Sequence, residues 1–584
     1  MAVENLITEH IDIWTSAVKT KSTSGRGSSK KLELYGIKKL RELILELAVR
    51  GKLVPQDSND EPASALLERI AGEKAQLVKE KKIKKPKKLE PISTEDYLFD
   101  IPSSWSWERL GNIGETNIGL TYSPKEAGDE GIPVLRSANI QKGKIDLSDL
   151  VRVQKEVKDC VLVEIGDLLI CARNGSKALV GKTAQIKALN EPMAFGAFMA
   201  IFRSCINDYI EVFLNSPVYR RNLDGVSTTT INQITQTNLR STICPLPPVN
   251  EQHRIVAKVD ELMALCDQLE QQTEDSIEAH QVLVTTLLDT LTNSADADEL
   301  MQNWARISEH FDTLFTTEES IDQLKQTILQ LAVMGKLVPQ DPTDEPASEL
   351  LKRIAEEKAQ LVKEKKIKKQ KALPPISEDE KPFTLPSGWE WCRFGNVFVD
   401  LKYGTSKKSD YKMNGSPVLR IPNVVGGRVD LSDLKYSVMT DKELVDYQLQ
   451  QGDLLLIRSN GSLGIVGRCT VVNNDLVNTV YAGYLVRARI LPDTVNSHYV
   501  KSVLDSHDVR RQIEGPIRTT SGVKNVNSTE LSSLLIPVAP ACEQLRINEK
   551  IIELHAMCDQ LKQHLYGNQQ TSLQLTDAIV EQAV

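Results

Sequence analysis

The chain carries one long segment twice. Residues 46–93 and 330–377 differ at only ten of 48 positions, and the second copy begins 284 positions after the first in a chain of 584 residues. An offset so close to half the length marks a tandem duplication, so the fold has to be assembled from two similar modules. The duplication continues past this block but decays unevenly. Pro102, Trp105, Trp107 and Gly111 return as Pro386, Trp389, Trp391 and Gly395. Val134-Leu135-Arg136 with Asn139 returns as Val418-Leu419-Arg420 with Asn423, and Asp146 to Leu150 returns intact at Asp430 to Leu434. Between these anchors the halves have diverged. Register is regained at Glu251-Gln252 and Cys266 to Leu269, matched by Glu543-Gln544 and Cys558 to Leu561. Each half thus alternates a near-constant part with a variable part, a shared scaffold carrying two regions free to read different things. Two related modules suit a two-sided target, and duplex DNA is the obvious case.

The constant parts read as helices. Ile255, Val259, Leu262, Cys266 and Leu269 alternate four and three apart, a heptad seam, and Ile547, Ile551, Leu554, Cys558 and Leu561 repeat it. Ile37, Leu40, Ile44 and Leu47 are matched by Ile321, Leu324, Ile328 and Leu331. Gly51 and Gly335 follow where a helix C-terminus favours a residue at positive φ. Pro62 opens a predicted helix over 63–80. A coil about 40 residues long would span roughly 60 Å, and the seam positions Ile255, Val259, Leu262, Ile547, Ile551 and Leu554 mark the candidate partner-binding helices. The basic runs at 79–88 and 363–371 suit either a solvated linker or a phosphate-contacting strap. The variable parts read as mixed α/β with short strands. In each, a Gly-Asp turn feeds a buried strand, at Gly166 to Ile170 and at Gly452 to Ile457. Trp105 and Trp107 are expected in the core.

A net charge of −8 argues against a simple polybasic DNA binder. The variable parts escape that objection. Residues 101–250 hold 16 Lys/Arg against 15 Asp/Glu, and residues 385–540 hold 18 against 15. The acid is concentrated elsewhere, for example at Glu270, Glu274, Asp275, Glu278, Asp296, Asp298 and Glu299. Nine scattered cysteines without a CxxC pair speak against a disulfide or zinc framework and for a reducing compartment, the cytoplasm. No run approaches the ~20 apolar residues of a membrane span, and the first residues lack the pattern of a signal peptide. No motif for chemistry is found. Gly175 to Thr183 resembles a phosphate-binding loop but has five residues between its glycines instead of four.

The phrase Ile231-Asn232-Gln233-Ile234 through Leu239, followed by Pro245-Leu246-Pro247-Pro248-Val249-Asn250-Glu251-Gln252-His253-Arg254, resembles the specificity subunit of type I restriction–modification enzymes. In that family a target-recognition domain ends in such a phrase and runs straight into a helix. Ile536 to Pro540 with Glu543-Gln544 is a looser copy. The paired Asn-Gly-Ser phrases at 174–176 and 460–462, and Gly51 to Gln56, carry the same resemblance. It implies an α+β fold: two mixed α/β target-recognition domains joined by two long antiparallel coiled-coil helical regions, with an internal pseudo-two-fold repeat. The expected segments are a helical region and basic linker (1–100), a first recognition domain (101–250), a central helical region (251–384), a second recognition domain (385–540) and a C-terminal helix (541–584). It also implies a chain without catalysis of its own. Its partners would be double-stranded DNA with an asymmetric bipartite target, two modification subunits and up to two restriction subunits, with no membrane. S-adenosylmethionine, ATP and Mg would belong to the partner subunits, and the helical coil would act as a ruler between the half-sites. The alternative is a non-catalytic coiled-coil scaffold with two protein-binding domains.

Base readout needs donors and acceptors on loops that enter a groove. The candidates in the first half are Arg136, Ser137, Asn139, Arg173, Asn174, Ser176, Lys177, Asn232 and Gln233. In the second half they are Arg420, Asn423, Arg458, Ser459, Asn460, Ser462, Lys524 and Asn525. Arginine suits guanine, and asparagine or glutamine suits adenine. Arg136 and Arg420 stand at matching positions in both halves, so a structural or phosphate-contacting role also suits them. Thr229 and Thr519 are candidate phosphate contacts.

Overall fold

The structure is a computed structural model that describes residues 3–22, 30–80, 88–226, 232–515, 518–520 and 523–584. It forms two compact units. One comprises Met1–Ser276 with Asn568–Val584, and the other comprises Ile277–Gly567. Helix and sheet are mixed in both. The two longest helices, Val249–Asn293 and Ala541–Ala583, are each shared: the first begins in the first unit and ends in the second, and the other does the reverse.

In the first unit a four-stranded antiparallel sheet runs Thr183–Gln185, Leu168–Cys171, Met199–Arg203, Glu115–Ile118. Its two central strands are covered on both faces, which is why Leu168–Cys171 and Met199–Arg203 read as continuous apolar runs instead of alternating. A smaller sheet orders Ala194–Phe195, Ile132–Leu135, Val151–Val153 and Ala127–Gly128. The variable region is closed at its base, where its first strand, Ser106–Arg109, pairs antiparallel with its last, Ile243–Leu246. Both chain ends of the region therefore leave from one place. The second unit repeats this plan. Phe398–Tyr403, Leu485–Ile490, Leu454–Ile457 and Cys469–Val471 form the main sheet in the matching order, and Glu390–Arg393 pairs with Leu535–Val538 at the base. The second unit contains a three-stranded ribbon of Ser459–Asn460, Val523–Asn525 and Arg518–Thr520.

The helices form as the spacing predicts. Ile37, Leu40, Ile44 and Leu47 are buried on the helix Tyr35–Val49, in one cluster with seam residues Ile255, Val259, Leu262, Cys266 and Leu269 and with Trp105, Tyr209 and Leu246. The second unit sets Ile321, Leu324, Ile328 and Leu331 of Glu318–Val333 in one cluster with Ile547, Ile551 and Cys558, and with Leu554 and Leu561 at its margin. Each such side chain is worth about 1.5–3 kcal/mol when fully buried, so the seams hold the helices to their own unit. Gly51 has φ +69°, and the amides of Gly51 and Lys52 donate to the carbonyls of Ala48 and Leu47, ending the helix in a Schellman motif. Gly335 does the same with φ +69°. A Cβ at either glycine would also meet the ring of Pro102 or Pro386 at 2.6 or 2.5 Å. The helix Ala63–Lys79 follows Pro62 as its spacing predicts, and Ala347–Lys363 is its copy.

A polar latch centred on a buried glutamate ties the constant part to the variable part in each unit. Trp105 Nε1 donates to Glu251 Oε2 at 2.9 Å, and the Gln56 amide donates to Glu251 Oε1 at 2.5 Å. Trp389, Glu543 and Gln340 repeat this at 2.9 and 2.7 Å. Burial pushes both carboxyls above the usual carboxylate range, partly offset by these hydrogen bonds. Beside each latch an ion pair locks the long helix to the segment before Ala63–Lys79 or Ala347–Lys363, Arg254 to Asp60 and Arg546 to Asp344, both at 2.6 Å. Lys74 reaches from the helix Ala63–Lys79 to the carbonyls of Gly111 and Gly114 at 3.2 and 3.0 Å. Lys358 reaches Gly395 at 2.9 Å, and burial pushes its ammonium down to about 8. Among the described residues no helix is long and apolar enough to cross a membrane.

Candidate nucleic-acid interface

In both variable regions a loop leaves a buried central strand, Leu168–Cys171 or Leu454–Ile457, and turns at an Asn-Gly-Ser phrase. The turn is made by side chains. Asn174 Oδ1 accepts from the Ser176 amide at 2.9 Å, and Asn460 Oδ1 accepts from the Ser462 amide at 2.8 Å. A short 3-10 turn follows, Lys177–Leu179 or Leu463–Ile465, and then a strand. A phosphate-binding loop would instead lead into a helix whose free amides face the anion, so the phosphate-loop likeness of Gly175 to Thr183 is one of letters only.

Around the first loop the structure gathers residues far apart in sequence. The Asn174 amide nitrogen Nδ2 donates to Ser137 Oγ at 3.3 Å. Asn232 Nδ2 donates to the Gly175 carbonyl at 3.2 Å, and Arg173 bridges to Gln233. Arg173 is exposed, its guanidinium 5.3 Å from the centre of the Phe198 ring. Ser137, Arg173, Asn174, Ser176, Asn232 and Gln233 thus share one patch, with Lys177 next along the loop. In the second unit Ser459 pairs with Asn525 and Asn460 with Lys524. Arg458 is half-buried with its guanidinium 4.6 Å from the Tyr403 ring, and Ser462 is exposed on the same loop. Arg458, Asn460, Ser462, Lys524 and Asn525 form the counterpart patch.

Four candidates lie elsewhere. Asn139 and Asn423 are buried, and their side chains are consumed internally. Asn139 Nδ2 donates to the carbonyls of Asp146 and Asp149 at 2.9 and 2.8 Å while its Oδ1 accepts from the Arg136 amide. Asn423 repeats all three bonds with Asp430, Asp433 and Arg420. They are not base readers; they fold the repeated Asp-Leu-Ser-Asp-Leu loop. Arg136 and Arg420 close the same loop by pairing with Asp149 and Asp433 at 3.1 and 2.9 Å, which is why all four recur in both halves. Thr229 lies outside the described residues. Thr519 lies on the strand Arg518–Thr520, of which only the backbone is described.

The seam side chains that mark the expected partner-binding helices are themselves spent inside the chain, so a partner would have to meet other faces of those helices. Ile255, Val259, Leu262, Ile547 and Ile551 are buried in the chain's own cores, and Leu554 packs at the margin of one. A heptad seam is filled by the helix nearest to it, and here that helix is internal. The same helices leave Leu265, Ile552, Met557 and Tyr566 exposed on other faces. Sequence reasoning also missed the latch. Its signal was present, since Gln56, Trp105 and Glu251 all return as Gln340, Trp389 and Glu543, and a glutamate beside a tryptophan that both recur invites pairing.

The architecture is two closed sheet modules, each with a polar loop patch, joined to two long helices that both units share. The family signature described as "Type I restriction modification DNA specificity domain" matches residues 102–279. The chain is 43% identical to the type I restriction enzyme EcoAI specificity subunit of Escherichia coli, over 100% of both chains. It is 42% identical to the EcoEI specificity subunit of Escherichia coli, again over 100% of both. The EcoKI specificity subunit of Escherichia coli strain K12 is 26% identical over 83% of this chain and 89% of that one. A solved structure described as "Structural basis underlying complex assembly and conformational transition of the type I R-M system" shares the fold at TM-score 0.51, with 17% identity over 83% of this chain and 98% of that chain. The chain belongs to the specificity subunits of type I restriction–modification enzymes. Its work is sequence recognition, and it targets the complex without catalysing a step.

Proposed function

We propose that this subunit reads an asymmetric bipartite duplex target, one half-site per unit, through the two loop patches. Arg173, Asn174, Ser176, Lys177, Asn232 and Gln233 serve one half-site, with Ser137 behind them. Arg458, Asn460, Ser462, Lys524 and Asn525 serve the other. The observation that supports it is that both units build the same loop on the same sheet and arm it with different side chains. Equal frames with unequal donors yield two different half-sites instead of a palindrome. On this reading the chain recruits two modification subunits, and up to two restriction subunits, in the cytoplasm. S-adenosylmethionine, ATP and Mg belong to those partners. Methylome sequencing of a host carrying this chain with its modification subunit tests it. One asymmetric motif in two parts with an unspecific spacer is expected; a palindromic or undivided motif would overturn the proposal.

A further inference from the structure

Each recognition unit leaves an aromatic ring in water at the same place. Phe198 is 59% exposed and Tyr484 is 62% exposed. Each stands immediately before a central strand of its main sheet, Met199–Arg203 or Leu485–Ile490. Each is pinned by its backbone to the strand that feeds the Asn-Gly-Ser loop. The Phe198 carbonyl accepts from the amides of Ala172 and Arg173 at 2.9 and 3.0 Å, and the Tyr484 carbonyl accepts from the Arg458 amide at 2.8 Å. A second exposed apolar residue flanks each ring's strand. Ile118 is 49% exposed and pairs with Ala200, and Tyr403 is 36% exposed and pairs with Val486. An isolated exposed ring needs no explanation. Two at matching positions, in regions whose sequences have otherwise diverged, each beside an arginine and a ring of amides, do.

We propose that Phe198 and Tyr484 are DNA-contacting residues, each presenting its ring to a base of its own half-site while the neighbouring arginine and amides supply the hydrogen bonds. The inference rests on the reading that the two patches face DNA, and it adds an apolar component which candidates chosen for donors and acceptors could not include. A base offers an apolar surface as well as polar edges: the thymine methyl in the major groove and the base face wherever stacking opens. An arginine beside an aromatic ring favours such a ligand because it presents a flat surface and positive charge together. The two units differ in what they leave bare. The Arg173 guanidinium lies over Phe198 itself, whereas that of Arg458 lies over Tyr403 and leaves Tyr484 to meet the ligand alone. The hydroxyl of Tyr484 adds a donor that Phe198 lacks.

The test uses the full chain assembled with its modification subunits and duplexes carrying the motif found by methylome sequencing, intact or with either half-site scrambled. Phe198→Ala is expected to weaken binding to the intact target roughly tenfold or more and to shrink discrimination at one half-site only. Tyr484→Ala should do the same at the other half-site. Phe198→Leu and Tyr484→Phe should fall between Ala and the unaltered chain, and thermal unfolding should not move, because both rings are exposed. Unchanged affinity, equal loss at both half-sites, or loss of subunit assembly with binding per assembled complex unchanged would overturn the proposal. If the unaltered complex itself fails to distinguish intact from scrambled duplexes, the recognition reading falls first, and the proposal with it.

Discussion

The two recognition units use one frame and place one arginine differently. Counted back from the loop asparagine, the arginine stands one residue before Asn174 but two before Asn460. Along extended backbone a shift of one residue sends a side chain to the opposite face. Arg173 emerges exposed over Phe198, and Arg458 emerges half-buried over Tyr403. The frame does not move in response. The loop turn, the Asn139 and Asn423 cradles and the Trp-Glu-Gln latches make the same hydrogen bonds in the two units. The difference teaches how such a chain can vary what it reads. Residues with buried, fully used hydrogen bonds cannot change without loss of the unit, whereas residues at the loop surface can change at little cost to folding.

The strongest way to break that comparison is to exchange a whole unit's reading part. Replacing residues 101–245 with the equivalent stretch of a relative should change one half-site completely and leave the other as it was, because the region is closed by the strand pair Ser106–Arg109 with Ile243–Leu246. Methylome sequencing reads the outcome, and simultaneous change of both half-sites would show that the units do not read separately.

A smaller effect is expected from the latch. Glu251→Ala leaves the buried Trp105 indole without its acceptor, while the exposed Gln56 amide can turn to water, and should destabilise the chain by about 1–3 kcal/mol in denaturant unfolding. Glu251→Gln should cost less, since one acceptor remains. Its pH signature is distinct. The folded carboxyl holds its proton at a pH where the unfolded one has lost it, so the stability it confers is present below the unfolded pKa and is lost as pH rises through the folded one. Glu251→Gln should flatten that decline. An unaltered slope would place the titration elsewhere.

The smallest effect sharpens the contrast between the arginines. Arg173→Ala should weaken discrimination at its half-site by about 1–3 kcal/mol with unfolding unchanged. Arg458→Ala should do the same at the other half-site and also lower stability by about 0.5–1 kcal/mol, since its half-buried guanidinium packs on Tyr403. Equal losses of thermal stability in the two variants would remove the distinction.

Much of the scaffold was legible in the chain. Apolar spacing located the helices Tyr35–Val49 and Glu318–Val333 and both seams, because a helix buries a stripe that repeats every three to four residues whatever lies opposite. Gly51 and Gly335 marked helix ends because few other residues tolerate their φ. The Gly-Asp turns and the apolar runs after them located the central strands. The candidate interface was legible only in part. Asn139 and Asn174 are the same residue type on loops of similar composition, and nothing local separates a cradle from a reader.

What the sequence by itself determined is periodicity, turn chemistry and recurrence, all of which act between near neighbours on the chain or between its two copies. Only the tertiary structure decided which polar groups were already satisfied. It buried Asn139 and Asn423 under their own loops, turned the seam residues inward onto the helix Tyr35–Val49 or Glu318–Val333, and brought Asn232 to Gly175 across 57 positions of sequence. The physical reason is that a donor's availability to a ligand depends on what is packed beside it, and packing partners are set by the whole chain's closure, not by its local order.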